Sequence, residues 1–320
     1  MPHSPLMYTH YTDDPVEAAK FISSDKLVVF PTETVYGLGG NALSVAAVES
    51  IYEAKRRPSS NPLIVHVGFT ADLSHVVKEI TPSAQAIMEA FFPGPITLVL
   101  TRHHSLPKAV SGGLDTVAVR MPSLPITVRF LRAVGLPVAA PSANISGRPS
   151  ATTWQSAAED LDGRVSCILR GPKAIVGLES TVVDCTGRSP VLLRSGAISL
   201  DALSTVVPDI STDSPDISRS PGLRHHHYAP FAHVCIVSTP DEAAPGDQRG
   251  YIGLARPHID AQFKKCVVAR DVEEYSHKLF EFFRECDRSG VTTIYCQSLA
   301  ETGLACALMD RIRRAAKAAK

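Results

Sequence analysis

The stretch 27–67 constrains this chain more than any other. An apolar run, Leu27-Val28-Val29-Phe30, leads straight into Pro31-Thr32-Glu33-Thr34-Val35-Tyr36-Gly37-Leu38-Gly39-Gly40. Strand-favouring residues followed by proline, hydroxyls and glycines predict a short strand that ends in a polar, glycine-rich turn. From Ser44 the pattern becomes helical and runs to Lys55-Arg56-Arg57-Pro58, where proline halts it. A second strand, 63–67, then carries His66 among aliphatic residues. Hydroxyls, a basic cluster and an imidazole thus stand at element ends, where α/β proteins usually place their sites. The arrangement suits a polyphosphate held beside a small polar molecule.

The remaining pattern extends this reading. Asp13-Asp14-Pro15 caps a helix over 16–22. Further strands are predicted at 97–101, 117–120, 137–140, 181–184 and 191–194, and helices at 44–55, 83–91, 125–134, 153–161 and 199–206. Residues 207–231 break the rhythm: proline, serine and aspartate dominate, and the segment reads as a linker. Beyond it, strands at 233–237, 251–254 and 292–296 alternate with helices at 271–288 and 302–318. The expected organisation is therefore an α/β domain over 1–206, a linker over 207–231 and a small α/β domain over 232–320.

Charge narrows the function classes. The chain holds 32 basic and 32 acidic residues, 19 against 20 before Tyr228 and 13 against 12 from there on. Neither half is a basic nucleic-acid domain, so a polyanion must be met by a local cluster. An RNA-binding role through Lys55, Arg56 and Arg57 is the competing reading, weakened by this balance and by the lack of aromatic stacking strips. No apolar run approaches the roughly 20 residues that span a bilayer, and residues 1–10 lack a signal layout. The seven cysteines have no C-x-x-C spacing, which suits reduced thiols in a cytoplasmic protein.

Four constellations can carry chemistry. Thr32, Glu33, Thr34 and Tyr36 form a hydroxyl-rich turn, which by itself equally suits backbone capping. Lys55, Arg57 and Asn61 surround Pro58; a basic helix end is often only dipole-favourable, but this one can clamp phosphate through a point charge and a two-donor fork. Ala139-Ala140-Pro141-Ser142-Ala143-Asn144-Ile145-Ser146-Gly147 has almost no bulk, so a ligand can approach its backbone. Arg120, Ser180 and Arg194 each stand at the end of an apolar strand. A P-loop, a G-x-S-x-G elbow and an H-E-x-x-H helix are missing, and Gly37-Leu38-Gly39-Gly40 matches a dinucleotide fingerprint only loosely. His225-His226-His227 invites a metal reading, but adjacent histidines in a linker seldom converge on one ion.

Taken together, PTETVYGLG (31–39), KRRP with NPLIVH (55–58, 61–66), FPGPITLVL (92–100), VAVRMP (117–122), PVAAPSANISG (137–147), GLESTVVD (177–184) and LRSGAIS (193–199) closely resemble the threonylcarbamoyl-AMP synthase family, the YrdC/TsaC type. SPGLRHHHYAP (220–230) and GLACALMDRIRRAAK (303–317) resemble its long form. Two departures are visible: His225 and His226 replace an aromatic-basic pair, and Ser195 stands where the family has proline. The resemblance implies a twisted mixed sheet with flanking helices, a linker over the active site, and a Rossmann-like second domain. It implies synthesis of threonylcarbamoyl-adenylate from L-threonine, bicarbonate and ATP, with pyrophosphate released. A downstream transferase would then modify the adenosine beside the anticodon of tRNAs reading codons that begin with A; direct tRNA contact is left open. Carbamoyltransferases of the hydrogenase-maturation type use a related domain but add zinc-finger segments that this cysteine spacing excludes. By carry-over, Lys55, Arg57, Ser142 and Asn144 form the catalytic tetrad on the nucleotide phosphates. Thr32, His66, Arg120 and Ser180 would hold threonine, with Arg120 meeting its carboxylate. Asn61, Thr116, Ser150, Arg194 and Tyr228 would complete the ATP side. Mg²⁺ is expected to arrive on ATP without a dedicated protein site.

Overall fold

A computed structural model describes residues 8–213, 228–258 and 262–318. The first unit is a ten-stranded mixed sheet, built from β1 (His10–Thr12), β2 (Val28–Phe30), β3 (Gly37–Asn41), β4 (Ile64–His66), β5 (Ile96–Thr101), β6 (Thr116–Arg120), β7 (Val138–Ala140), β8 (Cys167–Leu169), β9 (Thr181–Asp184) and β10 (Val191–Arg194). Their order is β1-β8-β2-β3-β7-β4-β6-β5-β9-β10. Helices α1 (Pro15–Ser23) and α4 (Pro125–Val134) cover one face, where Ala18, Ile22, Phe30, Phe130 and Leu131 make a compact core. The opposite face packs on α2 (Val45–Lys55), α3 (Pro82–Phe91) and α5 (Trp154–Leu161) through a larger cluster that includes Leu38, Val48, Ile51, Val65, Ile87 and Leu161. A short helix, α6 (Leu200–Ser204), follows β10.

The second unit is a parallel sheet of β11 (His233–Val237), β12 (Gly246–Gly253), β13 (Phe263–Val268) and β14 (Thr293–Gln297), ordered β11-β14-β12-β13. Parallel strands require covered faces and crossover connections. Here α7 (Val272–Arg288) makes the crossover from β13 to β14, and it covers one face of the sheet together with the final helix α8 (Leu304–Ala318). The apolar side of α7, with Tyr275, Leu279, Phe280 and Phe283, also packs in one cluster with Val35, Leu178 and Tyr228. The core of the second unit therefore continues into the first.

Several elements differ from the sequence reading. The glycine run at 37–40 belongs to strand β3, antiparallel to β2 and β7, not to a turn. The reason is steric: a Cβ on Gly37 would lie 2.9 Å from the Phe30 ring, and one on Gly39 would lie 2.8 Å from a Val138 methyl. Glycine here makes room for Phe30 rather than for a reversal. Strands β1, β8 and β13 were not expected, and β12 begins five residues before the predicted 251. Within the segment read as linker, Val207 and Ile210 pack on the first core and the Ser211 amide donates to the Pro190 carbonyl at 3.0 Å.

Candidate active site

One cavity gathers residues that are far apart in sequence. Its walls come from the segment after β2 (Thr32, Thr34, Val35, Tyr36), the loop after α2 (Arg57, Pro62), β4 (Ile64, His66), β6 (Arg120), the end of β7 (Ala140, Pro141, Ser142), the start of β9 (Glu179, Ser180), β10 (Arg194) and Tyr228. It lies where strands end and neighbouring chain segments diverge, the usual place for a ligand in an open α/β sheet.

Local geometry explains how Arg57 arrives there. Arg56 caps α2 in the left-handed conformation, φ 53°, and is exposed, whereas Lys55 and Arg57 on either side are buried. Arg57 donates to the carbonyls of Asn61 at 3.2 Å and Pro62 at 2.9 Å. Burial pushes it down to about 10, so it stays charged at neutral pH. Lys55 takes a different place: it is 1% exposed, outside the cavity lining, and donates to the carbonyls of Ser142, at 2.5 Å, and Asn144. Its ammonium ties α2 to the 142–146 loop from beneath, and burial holds it well below the ordinary lysine range.

Arg120 is 3% exposed and heavily committed. It forms an ion pair with Glu33 at 2.7 Å and donates to the Thr34 hydroxyl at 2.7 Å and the Gly94 carbonyl at 3.3 Å. Of the five N–H groups of the guanidinium, two are hydrogen-bonded, and Nη2 meets Glu33 as an ion pair without a hydrogen bond among the described residues. His66 lies edge-on to Phe30, with ring centres 5.7 Å apart, and Nδ1 donates to the Ile64 carbonyl at 3.2 Å. Burial first, and then the Arg120 charge, push the imidazole down to about 3. His66 is therefore a neutral group, not a cation. The Thr32 hydroxyl donates to the Val35 carbonyl at 2.6 Å and lies 2.9 Å from that of Thr34, closing the turn that follows β2.

On the far wall, Arg194 donates to the Ser180 carbonyl at 3.0 Å and hydroxyl at 3.1 Å, while that hydroxyl lies 2.7 Å from Thr97 Oγ1. Ser150 does not line the cavity; its hydroxyl donates to Glu179 at 2.5 Å, and Glu179 does line it. Asn144 and Asn61 are buried beside the cavity, Asn144 donating to the Ile145 and Arg148 carbonyls. Thr116 is partly exposed at the start of β6, four residues before Arg120. Tyr228 is buried, has φ 71° and stacks on Phe280 at 5.3 Å.

Sequence reasoning placed Glu33 and Thr34 in a candidate constellation without giving them a ligand, and it did not single out Glu179 or Arg311 as site residues. Glu33 and Glu179 sit inside motifs already singled out, so their adjacency to Thr32 and Ser180 was the available signal. Arg311 had no local signal. His225-His226-His227 lies outside the described residues. Among the described residues, no group of three or more His, Cys, Asp or Glu side chains is arranged to hold a metal ion, and no helix is long and apolar enough to cross a membrane.

Comparison with known proteins bears on the whole chain. The Sua5/YciO/YrdC family model, described as "Telomere recombination", matches residues 20–196, and a model described as "Threonylcarbamoyl-AMP synthase, C-terminal domain" matches 198–317. The threonylcarbamoyl-AMP synthase of Pyrococcus abyssi is 42% identical, with 93% of this chain and 92% of that protein covered. The protein of the same name from Bacillus subtilis is 38% identical, with 95% and 94% covered. Among solved structures, P. abyssi Sua5 complexed with L-threonine superposes with a TM-score of 0.87 at 38% identity, covering 98% of each chain.

Proposed function

The chain belongs to the threonylcarbamoyl-AMP synthase family, and we propose that it makes L-threonylcarbamoyladenylate from L-threonine, bicarbonate and ATP, releasing pyrophosphate. The observation that carries the reading is the cavity itself, where three buried arginines (57, 120 and 194) meet hydroxyls and a neutral imidazole. Two anionic reactants must be brought together there, and charge grows on the phosphates as the bond breaks. Fixed cations and N–H donors in a dry site serve that task better than a strong base.

In the proposed sequence, the threonine amine loses a proton to water and its nitrogen forms a C–N bond to the carbon of bicarbonate, with loss of water. The resulting carbamate oxygen bonds to the α-phosphorus, and the bond from that phosphorus to the bridging oxygen breaks, releasing pyrophosphate. Arg120, oriented by Glu33 and Thr34, offers to the threonine carboxylate N–H groups that hold no other hydrogen bond among the described residues. Thr32, His66 and Ser180 line the same pocket for the amino acid. Arg57 and Arg194 stand on the nucleotide side with Ser142 and Tyr228. Lys55, Asn144, Asn61 and Ser150 support that side from behind, and Thr116 lies outside the cavity lining, at the other end of β6 from Arg120. Mg²⁺ would travel on the ATP phosphates, since Glu33 and Glu179 are both engaged by arginines. The ion supplies charge neutralisation when bound.

The product is an activated acyl group, which fits a supplier for a transferase acting on the adenosine beside the anticodon in tRNAs that read codons starting with A. A cytoplasmic location fits that role. The test is pyrophosphate release with threonine, with serine and with no amino acid, each with and without bicarbonate. Release that requires neither threonine nor bicarbonate overturns the reading.

A further inference from the structure

We propose that Arg311, on the last helix of the second unit, is a positioning residue of the cavity, holding Glu179 and Tyr228 in its wall. The inference rests on the reaction proposed above and assigns the second unit a part in it. Arg311 is wholly buried, and its Nε donates to one Glu179 oxygen at 3.0 Å while Ser150 donates to the other at 2.5 Å. Glu179 faces the cavity, so the chain of contacts runs from α8 to the ligand space in a single step.

The same guanidinium lies 5.8 Å from the centre of the Tyr228 ring, which stacks on Phe280 of α7 at 5.3 Å. Tyr228 has φ 71°, a conformation that tyrosine rarely adopts and that its surroundings must impose. The Ala229 amide donates to the Gly147 carbonyl at 2.9 Å, which brings this strained residue back to the loop after β7. Close docking supports the arrangement: a Cβ on Gly177, φ 80°, would lie 2.6 Å from the His277 backbone of α7. A second buried arginine supplies the contrast. Arg284 of α7 pairs with Asp160 at 2.9 Å, and neither residue lines the cavity. Both pairs fasten the two units together, but only Arg311 touches the wall.

The experiment uses the full chain and measures kcat and KM for ATP by pyrophosphate release, with melting temperatures alongside. A hydrogen bond to a charged group is worth a factor of roughly 10 to 100, so Arg311→Gln is expected to raise KM for ATP on that scale. Glu179→Gln behaves alike, and the double variant is no worse than the worse single one, because all three lose the same contact. Arg311→Lys, which keeps a cation opposite Glu179, recovers part of the loss and stands in if Arg311→Gln fails to fold. Arg284→Gln lowers the melting temperature while KM stays within about twofold, as expected of a site with no shared partner. The inference is overturned by wild-type KM in Arg311→Gln, by additive single effects, or by equal KM changes in Arg284→Gln and Arg311→Gln. Hydrogen exchange at the Tyr228 and Ala229 amides in the unliganded protein separates the two proposals. Faster exchange in Arg311→Gln supports the positioning role even if the wild-type chain releases no pyrophosphate, and unchanged exchange overturns it.

Discussion

Lowering the pH should unfold this protein partly through His66. The imidazole is 4% exposed, and burial beside Arg120 lowers it from 6.5 to about 3. Below pH 6.5 the unfolded chain binds a proton at this histidine and the folded chain does not. The unfolded state then holds more protons, so stability falls as pH falls, and the contribution is intact only above 6.5. Each pH unit between those values is worth about 1.4 kcal/mol. At pH 5 the loss is therefore about 2 kcal/mol, a sizeable part of an ordinary domain's stability. The assay is urea unfolding of the wild type and His66→Gln from pH 7.5 to pH 4.5. Other groups titrate in both proteins, so the difference between them isolates the histidine. The expected difference narrows by about 1.4 kcal/mol per unit below pH 6.5. A difference that stays flat with pH would show that His66 takes up a proton in the folded state, and the neutral assignment would fail.

Other substitutions separate support from direct contact. Arg57→Met should cut turnover by roughly 10²- to 10³-fold, the scale of a lost transition-state donor, and near-normal pyrophosphate release would remove Arg57 from the chemistry. Lys55→Met should act first on stability: it strands the Asn144 carbonyl and takes one of two donors from that of Ser142, which still accepts from the Asn144 amide, at about 1–3 kcal/mol for the stranded acceptor, which denaturant midpoints will show. Gly39→Ala places a methyl against Val138 and Phe30 and should cost about 1–3 kcal/mol, so an unchanged unfolding midpoint would contradict the packing of β3 under Phe30. Threonine should be preferred over serine by about 1–3 kcal/mol, the worth of one methyl in a small apolar pocket, and equal kcat/KM for the two would argue against a methyl pocket around His66.

The sequence made the site legible where polar residues interrupt strand ends, and obscure where side chains work at a distance. Thr32, His66, Arg120, Ser142 and Arg194 reach one cavity at or just beyond the ends of apolar runs and Ser180 just before one, whereas Arg57 follows a helix end and Tyr228 came only from the family resemblance. Lys55 obeyed the same local pattern yet turned inward. Lys55 is the last residue of α2 and belongs to its buried side, whereas the left-handed cap at Arg56 redirects the chain to Arg57, and no propensity for such a cap in arginine foretells it. The glycines of β3 look like a turn until the Phe30 ring above them is known, because period and composition do not register a neighbour's bulk.

Arg311 marks the hardest boundary of sequence reading. Its string, Asp310-Arg311-Ile312-Arg313-Arg314, resembles a solvated basic helix face, and Arg313 does pair with an exposed partner, Glu301. Arg311 is nevertheless wholly buried, because α8 carries it to Glu179, 132 residues away in sequence. A buried arginine is tolerated only where a carboxylate and further acceptors compensate its desolvation, and here Glu179 and Asp310 do so. That requirement turns burial into information. An arginine paid for by a carboxylate on the cavity wall couples the packing of the second unit to the shape of the ligand space, so disturbing either should be felt in the other.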